Sequence, residues 1–194
     1  MARILSRIFY EAGVLKEGKT VETDASGLIG RVVGETAPKT LAKVKEAMGG
    51  ILFIDEAYAL TTRAMTLSYG AEAVSELLKQ MEDHRGQFCV ILAGYKNEMQ
   101  KLLDTNPGFE SRIQFVLEFP DYTRDELAKI ADLMLSQKEY VVTEEARERI
   151  LDITDYERSR PNYANARTLR NILDQVILNQ NLRVEESKGD NEII

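Results

Sequence analysis

The 194-residue sequence predicts an α/β fold in which a parallel sheet is flanked by helices and is followed by a small all-α region. Two observations carry this prediction. Residues 51–54 and 88–93 are apolar runs of strand length that end in polar turns, as buried parallel strands do. Beyond Pro120 the strand-like runs stop, and only the periodicity of amphipathic helices remains.

The individual elements follow from apolar spacing and from the glycine or proline at their ends. Helix 37–48, for example, carries Leu41 and Val44 on one side and stops at Gly49, before the next strand begins. In chain order the pattern predicts a helix at 2–12, a short edge strand at 20–23, a loop at 28–36 and a helix at 37–48. It then predicts a strand at 51–54, a helix at 70–84, a strand at 88–93, a short helix at 99–103 and a last strand at 113–119.

Three amphipathic helices are predicted after the last strand, at residues 124–137, 143–157 and 165–184. Thr123 and Glu126 have the spacing of a capping box, so a helix should begin there. We therefore expect an α/β subdomain at 1–120, a helical lid subdomain at 121–186 and a flexible tail at 187–194.

The charge and the cysteine content narrow the function classes. The net charge is −7, whereas nucleic-acid surfaces usually carry a basic excess, so we expect no nucleic-acid partner. Cys89 is the only cysteine of the chain, and the lack of an internal disulfide fits a reducing, cytoplasmic location. No signal peptide is visible and no apolar run approaches membrane length, so we expect no membrane association.

The most informative motif is GILFIDEAY at residues 50–58, an apolar strand that ends in two adjacent carboxylates. Acids at the carboxyl end of such a strand face the crevice where open α/β sheets bind ligands. One interpretation is the second acidic motif of a P-loop nucleoside triphosphatase. Asp55 would then hold the water shell of a Mg²⁺ ion, and Glu56 would polarise the attacking water. The alternative is that the two acids only cap the next helix.

Four further motifs accompany this strand in a meaningful order. They are LIGRVVGET at 28–36, GYKNEM at 94–99, NPGFESRI at 106–113 and NARTLRNILDQ at 165–175. Together with GGILFIDEAYAL, VILAG and EFPDY, these blocks resemble the AAA+ superfamily. More narrowly, they resemble the CbbX/CfxQ group, which includes red-type Rubisco activases and stage V sporulation protein K. The matching blocks extend from Gly49 to Asn171.

The resemblance implies a P-loop NTPase-like (AAA+) fold, with ATP and Mg²⁺ as cofactors, and roles for four residues. It implies Asp55 as the metal ligand and Glu56 as the catalytic base. Arg112 is implied as an arginine finger that reaches the nucleotide of the neighbouring subunit and neutralises charge on the phosphoryl oxygens. Arg167 is implied as a second sensor that touches the nucleotide of its own subunit. For either arginine the alternative is a solvated charge or a salt bridge.

The resemblance also implies a sensor for the γ-phosphate and a pore loop. The sensor belongs to the turn after strand 88–93, where either Tyr95 or Asn97 can supply the polar contact. The pore loop is implied at Arg31, Val32 and Val33, where it would grip a substrate polypeptide. Val32 stands where the group carries an aromatic residue, so it offers less contact area and no ring face.

One expected motif is missing from the 194 residues. No GxxxxGK[ST] phosphate loop occurs, and Gly18-Lys19-Thr20 lacks the upstream glycine. Such a loop clamps phosphates through successive backbone N–H groups and one lysine. In the family, the first strand leads into this loop and lies between the strands matching 88–93 and 113–119, so we expect the sheet to lack that strand. We then expect strands 88–93 and 113–119 to pair directly, or a second chain to fill the gap. A truncated reading frame or a misassigned start codon would explain the missing loop.

We therefore expect a module of a ring-forming, hexameric AAA+ ATPase that couples Mg-ATP hydrolysis to the remodelling of a protein partner. We expect this chain to bind nucleotide poorly and to be inactive by itself, because the phosphate loop is absent. The partner stays open between Rubisco, a spore component and another assembly. The alternative is a non-catalytic AAA+-like subunit that lends Arg112 to a competent neighbour. A DNA-directed relative of clamp loaders is disfavoured by the acidic charge.

Overall fold

The computed structural model describes residues 1–62, 67–161 and 163–189, which belong to two compact units that divide after Glu118. The first unit contains α1 (Ala2–Glu11), β1 (Thr20–Asp24), α2 (Ala25–Leu28), α3 (Thr36–Ala47), β2 (Ile51–Asp55), α4 (Ala59–Thr62), α5 (Leu67–Asp83), β3 (Cys89–Leu92), α6 (Lys96–Thr105) and α7 (Pro107–Glu110). The second unit contains α8 (Arg124–Gln137), α9 (Glu144–Arg158) and α10 (Ala166–Gly189).

The strands form a parallel sheet in the order β1-β2-β3, with β2 in the centre. Ile51, Leu52 and Ile54 of β2 are fully buried, which explains why this strand is a continuous apolar run. In the register of the sheet, Asp24 at the end of β1 lies beside Asp55 at the end of β2. The polar turns that follow the three strands therefore share one edge of the sheet, and the predicted parallel sheet with flanking helices is confirmed.

The core of the first unit lies between the sheet and the helices that cover it. Val44 of α3 and Leu77 of α5 are fully buried there, as are Leu102 of α6 and Phe109 of α7. Full burial of an aliphatic or phenyl side chain of this size contributes about 1.5–3 kcal/mol to folding. This packing fixes the positions of the helices that begin at the polar edge of the sheet.

Three predicted helices are longer in the structure than their apolar spacing indicates, and the short helix expected at 99–103 is α6 at Lys96–Thr105. The helix expected at 70–84 begins at Leu67, directly after residues 63–66, which lie outside the described part of the chain. The helix expected at 165–184 continues to Gly189, because no glycine or proline interrupts it earlier. The part of the predicted tail at 190–194 lies outside the described residues.

The prediction of a last strand at 113–119 is wrong, and so is its direct pairing with β3. The segment has no regular secondary structure, and β3 is an edge of the sheet within the described ranges. Phe115 is 81% exposed and Val116 is 73% exposed, so consecutive side chains, which would lie on opposite faces of a strand, are both solvent-exposed. The composition is that of a buried strand, but a strand needs a partner for its backbone groups. Lys96 holds the segment by an ion pair with Glu118 at 2.8 Å.

The second unit packs its three helices around a leucine core. Leu127, Leu135, Leu151, Leu169 and Leu173 are all at most 3% exposed. Thr123 caps α8 with a complete capping box, as the sequence predicted: its side chain accepts from the Glu126 N–H, and the Glu126 carboxylate accepts from the Thr123 N–H. None of the helices in the described ranges has both the length and the apolar character that crossing a bilayer requires.

Ion pairs join α8 to α9 on the surface of the second unit. Arg124 contacts three carboxylates of α9, those of Glu148, Asp152 and Asp155. Arg147 of α9 reaches back to Asp132 of α8 with two hydrogen bonds, of 3.0 and 2.9 Å. The bond from Arg147 lowers the pKa of the Asp132 carboxyl below its ordinary value of 3.8, against the opposing effect of burial.

Candidate functional site

The two adjacent carboxylates lie where the sequence predicted them, at the carboxyl edge of the sheet. Asp55 is the last residue of β2, and both Asp55 and Glu56 are exposed. The Glu56 N–H donates to Asp55 Oδ1 at 3.0 Å, and Glu56 has a φ of 46°. A left-handed backbone is uncommon and costly for a residue with a side chain, and such conformations cluster at functional sites.

Asp24, the neighbouring acid at this edge, has a structural role. Its carboxylate accepts hydrogen bonds from Ser26 Oγ at 2.7 Å and from the Gly27 N–H at 2.9 Å, which begins α2. These bonds, with that from Ser26 the strongest, lower the pKa of Asp24 below its ordinary value. The end of β2 differs: there the Asp55 carboxylate accepts from the N–H of Glu56, which precedes α4. The described residues contain no cluster of three or more His, Cys, Asp or Glu side chains that would bind a metal by themselves.

The turn after β3 lies beside the turn after β2. The Ala57 N–H donates to the Ala93 carbonyl at 3.0 Å, and this bond ties the two turns together. Tyr95 is the N-cap residue of α6 and is 71% exposed. Its ring centroid lies 6.2 Å from that of Tyr58. Asn97 is an exposed residue in the first turn of α6, so both sensor candidates remain at the same edge as Asp55.

Arg112 lies just after α7 and is held by contacts within its own chain. Its guanidinium donates to the Gly108 carbonyl at 3.2 Å and pairs with Glu82 of α5 at 3.3 Å. The side chain is 30% exposed, and its buried Nε has no hydrogen-bond partner among the residues that the structure describes. Arg112 is therefore neither a freely solvated charge nor part of the apolar core. Because Glu82 is 58% exposed, its ion pair with Arg112 contributes only about 0–1 kcal/mol.

The predicted pore loop connects α2 to α3. The Glu35 carboxylate accepts from the N–H groups of Arg31 at 3.1 Å and Val32 at 3.4 Å, which fixes the base of the loop. Val32 is 55% exposed and Val33 is 85% exposed, so the loop presents two apolar side chains to solvent. Because α2 directly follows β1, the loop departs from the same edge of the sheet as the two carboxylates.

Arg167 belongs to the second unit, where it is exposed in the first turn of α10. Asn165, just before that helix, organises its start: the Asn165 side chain accepts from the Tyr122 N–H at 3.0 Å and donates to Asp121 at 2.5 Å. Asn165 has a φ of 54°, which asparagine tolerates better than most residues. Sequence reasoning quoted Asn165 only as the start of a motif and missed this positioning role.

Sequence reasoning also missed Tyr58 and Glu82. Tyr58 is the last residue of the GILFIDEAY motif, and it packs against the turn after β3. Glu82 has no motif that marks it, and only the packing of α7 beside α5 brings it to Arg112. The signal for Tyr58 was an aromatic residue close behind the paired acids; for Glu82 the sequence offered none.

The described chain combines a parallel sheet, two adjacent carboxylates at the end of its central strand, and a helical second unit. Two family profiles match the chain: "ATPase family associated with various cellular activities (AAA)" at residues 2–121 and "AAA lid domain" at 123–193. The chain therefore belongs to the AAA family of ATPases, within it to the CbbX/CfxQ group that its relatives represent.

Three curated relatives illustrate that group. "Protein CfxQ" of Xanthobacter flavus is 44% identical over 185 residues, which are 95% of this chain and 58% of the relative. "Protein CbxX, chromosomal" of Cupriavidus necator is 41% identical over 97% of this chain and 60% of the relative. "Ribulose bisphosphate carboxylase/oxygenase activase, chloroplastic" of Cyanidioschyzon merolae is 41% identical over 97% of this chain and 64% of the relative. The chain thus spans about three fifths of the length of these relatives.

A solved structure supports the fold independently. The FIGL-1 AAA domain, crystallised in complex with ADP, aligns with a TM-score of 0.53 at 17% sequence identity. The alignment covers 77% of this chain and 48% of that chain. At this level of identity the likeness bears on the fold alone.

Proposed function

We propose that this chain is the part of a cytoplasmic, hexameric AAA+ ATPase that carries the hydrolytic carboxylates, and that the ATPase remodels a protein partner. The observation that carries this proposal is the placement of Asp55 and Glu56 at the open edge of a parallel sheet, in a chain of the AAA family. A relative named as a Rubisco activase supports a protein client. The bond that Asp55 Oδ1 accepts comes from the Glu56 N–H, ahead of the start of α4 at Ala59, which favours the chemical role over the alternative that sequence reasoning left open.

Asp55 would hold Mg²⁺, and the residues at this edge fit that ion. Mg²⁺ in nucleotide sites is bound through one or two carboxylates, with water and phosphate oxygens as the other ligands, so a single exposed aspartate suffices. When bound, the ion supplies charge neutralisation on the phosphates of ATP. Glu56 orients the attacking water and accepts its proton, and its backbone N–H fixes the Asp55 carboxylate next to it.

Arg112 acts on the neighbouring subunit in this proposal, and Arg167 and the turn of Tyr95 and Asn97 act on the nucleotide of their own subunit. An arginine finger is worth about 10³–10⁵ in rate in related phosphoryl-transfer systems. The exposed Val32 and Val33 contact the client polypeptide when nucleotide state moves the loop. A head-to-tail ring accounts for an arginine that serves the site of another subunit.

The first experiment measures ATP binding and turnover for the 194-residue chain and for a form extended at its N-terminus by a GxxxxGK[ST] phosphate loop and its strand. We expect weak binding by the 194-residue chain and turnover by the extended form, since the phosphate loop supplies the main triphosphate contacts. In the extended form Glu56→Gln abolishes turnover and leaves binding, and the exposed Glu46→Gln is the matched control. Equal loss of binding and turnover in Glu56→Gln would reject Glu56 as the base.

The second experiment tests the finger by complementation between subunits. Arg112→Ala removes the finger, and Glu56→Gln removes the base. Both variants are made in the extended form, and each alone is expected to be inactive. A mixed ring, however, contains interfaces where an intact Glu56 meets an intact Arg112 of the neighbour. We expect turnover to return on mixing; the exposed Arg85→Ala is the matched control and stays active alone. Mixed rings as inactive as either variant would count against action between subunits.

A non-catalytic subunit is the second candidate; the side chain of Arg112, 30% exposed and paired with Glu82, is the group that it would lend to a neighbour. In that case the 194-residue chain itself, added to an extended Arg112→Ala protein, supplies Arg112 and restores turnover. The same chain with Arg112→Ala restores nothing. Stimulation by the wild-type 194-residue chain without any turnover of its own would select this second function.

A further inference from the structure

The linker, residues 119–122, begins the second unit and is anchored there by the side chain of Asn165. The side-chain carbonyl of Asn165 accepts from the Tyr122 N–H at 3.0 Å, and its side-chain amide donates to Asp121 Oδ1 at 2.5 Å. Arg158 of α9 adds a third bond, in which its guanidinium donates to the Tyr122 carbonyl at 2.8 Å. The end of the linker is therefore held by the second unit, although it has no regular secondary structure.

The backbone of Asn165 has an unfavourable conformation that this arrangement explains. Its φ of 54° lies in the left-handed region, which a residue with a side chain seldom adopts. A glycine would avoid this cost but would supply neither of the two side-chain bonds. In this conformation the Asn165 carbonyl accepts from the Leu169 N–H at 3.1 Å, in the first turn of α10, while the side chain bonds to the linker. Asn165 thus joins the helix to the linker.

Arg167 lies in the turn that Asn165 begins. The Arg167 N–H donates to the Ala164 carbonyl at 3.0 Å, directly before the helix. Leu169, two residues further on, is fully buried in the core of the second unit. The backbone of Arg167 is therefore fixed by the same turn of α10 that holds the end of the linker.

The residue just before the linker is held by the first unit. Glu118, the last residue of that unit, pairs with Lys96 at 2.8 Å. Lys96 is the first residue of α6 and lies between the two sensor candidates of the turn after β3. Phe119 and Pro120 separate the two anchored ends, and the proline ring fixes one backbone angle there. The chain thus passes from one unit to the other through two residues.

We propose that Asn165 is a positioning residue that ties the linker to the first turn of α10, so that Arg167 and residues 121–122 move together. The joint between the units is then confined to Phe119 and Pro120. The proposal rests on the proposed function for the nucleotide contact of Arg167, but the anchor itself does not. A nucleotide that displaces Arg167 also displaces the end of the linker, because both belong to one hydrogen-bonded turn. The change in backbone angles falls on the two residues of the joint.

The anchor is tested on the 194-residue chain by hydrogen exchange of the Tyr122 amide, followed by NMR. Asn165→Gly allows the left-handed backbone and removes both side-chain bonds. We expect the Tyr122 amide to exchange about 2- to 10-fold faster, which corresponds to the loss of one hydrogen bond, while the Leu169 amide stays protected. Glu139→Gly is the matched control, because Glu139 is an exposed residue of the second unit with a φ of 62°. Unchanged exchange of Tyr122 in a folded Asn165→Gly protein overturns the proposal.

A second pair of variants tests the bond between Asn165 and Asp121 by rescue. Asn165→Asp places two carboxylates opposite each other, and we expect faster exchange of the Tyr122 amide at neutral pH. Adding Asp121→Asn restores one donor and one acceptor with their positions reversed. We expect this double variant to return toward the wild-type exchange rate. A double variant that exchanges as fast as Asn165→Asp alone contradicts the anchor.

The coupling to nucleotide is tested on the extended form. We expect Mg-ATP to change the exchange rate of the Tyr122 amide in wild type, and this response to be lost in Asn165→Gly, which still binds ATP. If Arg167→Ala leaves ATP affinity intact, the proposed function of Arg167 fails, and the anchor measured on the 194-residue chain stands. If Arg167→Ala weakens ATP binding but Tyr122 responds equally in wild type and in Asn165→Gly, the coupling through Asn165 alone is refuted.

Discussion

Replacing Gly50 by alanine is expected to destabilise the first unit by the collision of one methyl group with the neighbouring strand. Gly50 is buried directly before β2. A Cβ atom there would lie 2.5 Å from the carbonyl oxygen of Lys19 and 2.6 Å from Lys19 Cγ. The same oxygen accepts from the Ile51 N–H at 3.0 Å and from Ser6 Oγ at 2.9 Å. The methyl group added by Gly50→Ala therefore clashes at the point where α1, β1 and β2 are joined.

The size of the effect follows from these distances. Ordinary C···O contacts are about 3.3 Å, so the Lys19 carbonyl has to retreat by about 0.8 Å. Overpacking of this kind costs about 1–3 kcal/mol, and each of the two weakened hydrogen bonds is worth about 0.5–1.5 kcal/mol. Alanine also stabilises the folded state by about 0.4–1 kcal/mol, because it restricts the unfolded chain more than glycine does. We expect the free energy of unfolding to fall by about 2–4 kcal/mol.

Gly18→Ala is the matched control, because it adds the same methyl group without a collision. The nearest heavy atom to a Cβ at Gly18 is Tyr10 Cβ at 3.5 Å, an ordinary contact. Urea denaturation gives the free energies, and hydrogen exchange of the β2 amides reports the stability of the first unit separately. If Gly50→Ala and Gly18→Ala unfold at the same urea concentration, the inference that the Lys19 carbonyl blocks position 50 is refuted.

Two further predictions concern the second unit. Thr123→Ala removes the capping box of α8 and is expected to cost about 1 kcal/mol in urea denaturation, whereas Thr123→Ser keeps the hydroxyl and costs little; equal losses would contradict the role of the cap. Because Arg147 lowers the pKa of Asp132, this pair adds stability above the ordinary value of 3.8 and loses it as pH falls through the lowered pKa. Asp132→Asn should therefore be less stable than wild type at pH 6, with a difference that shrinks below 3.8; a constant difference would argue against the ion pair.

The elements that depend on local pattern were predictable from the sequence. The three helices of the second unit begin within one residue of their predicted starts, and Thr123 forms the predicted capping box. Asp55 lies at the end of the central strand, because the change from apolar to charged residues marks where a buried strand has to end. These features rest on residues that are close together in the sequence.

The features that depend on distant partners were not predictable. The run at 113–119 has strand composition, yet it forms no strand because the described chain places no neighbour beside it. Tyr58 meets Tyr95 only because β2 and β3 are parallel and in a fixed register. The pairing of Arg112 with Glu82 likewise requires the position of α7 on α5. The spacing of residues along the sequence does not predict any of these contacts.

The contact between Arg112 and Glu82 gives a subunit on its own a guanidinium that is already neutralised. In the proposed role, the Arg112 guanidinium would exchange the Glu82 carboxylate for the phosphates of a nucleotide on another subunit. Because the guanidinium is already paired, this exchange avoids part of the desolvation cost of a fully hydrated cation. The exchange leaves Glu82 to be rehydrated, which its 58% exposure makes inexpensive. If Arg112 acts between subunits as proposed, little free energy is lost when it leaves Glu82, because an accessible ion pair contributes only about 0–1 kcal/mol.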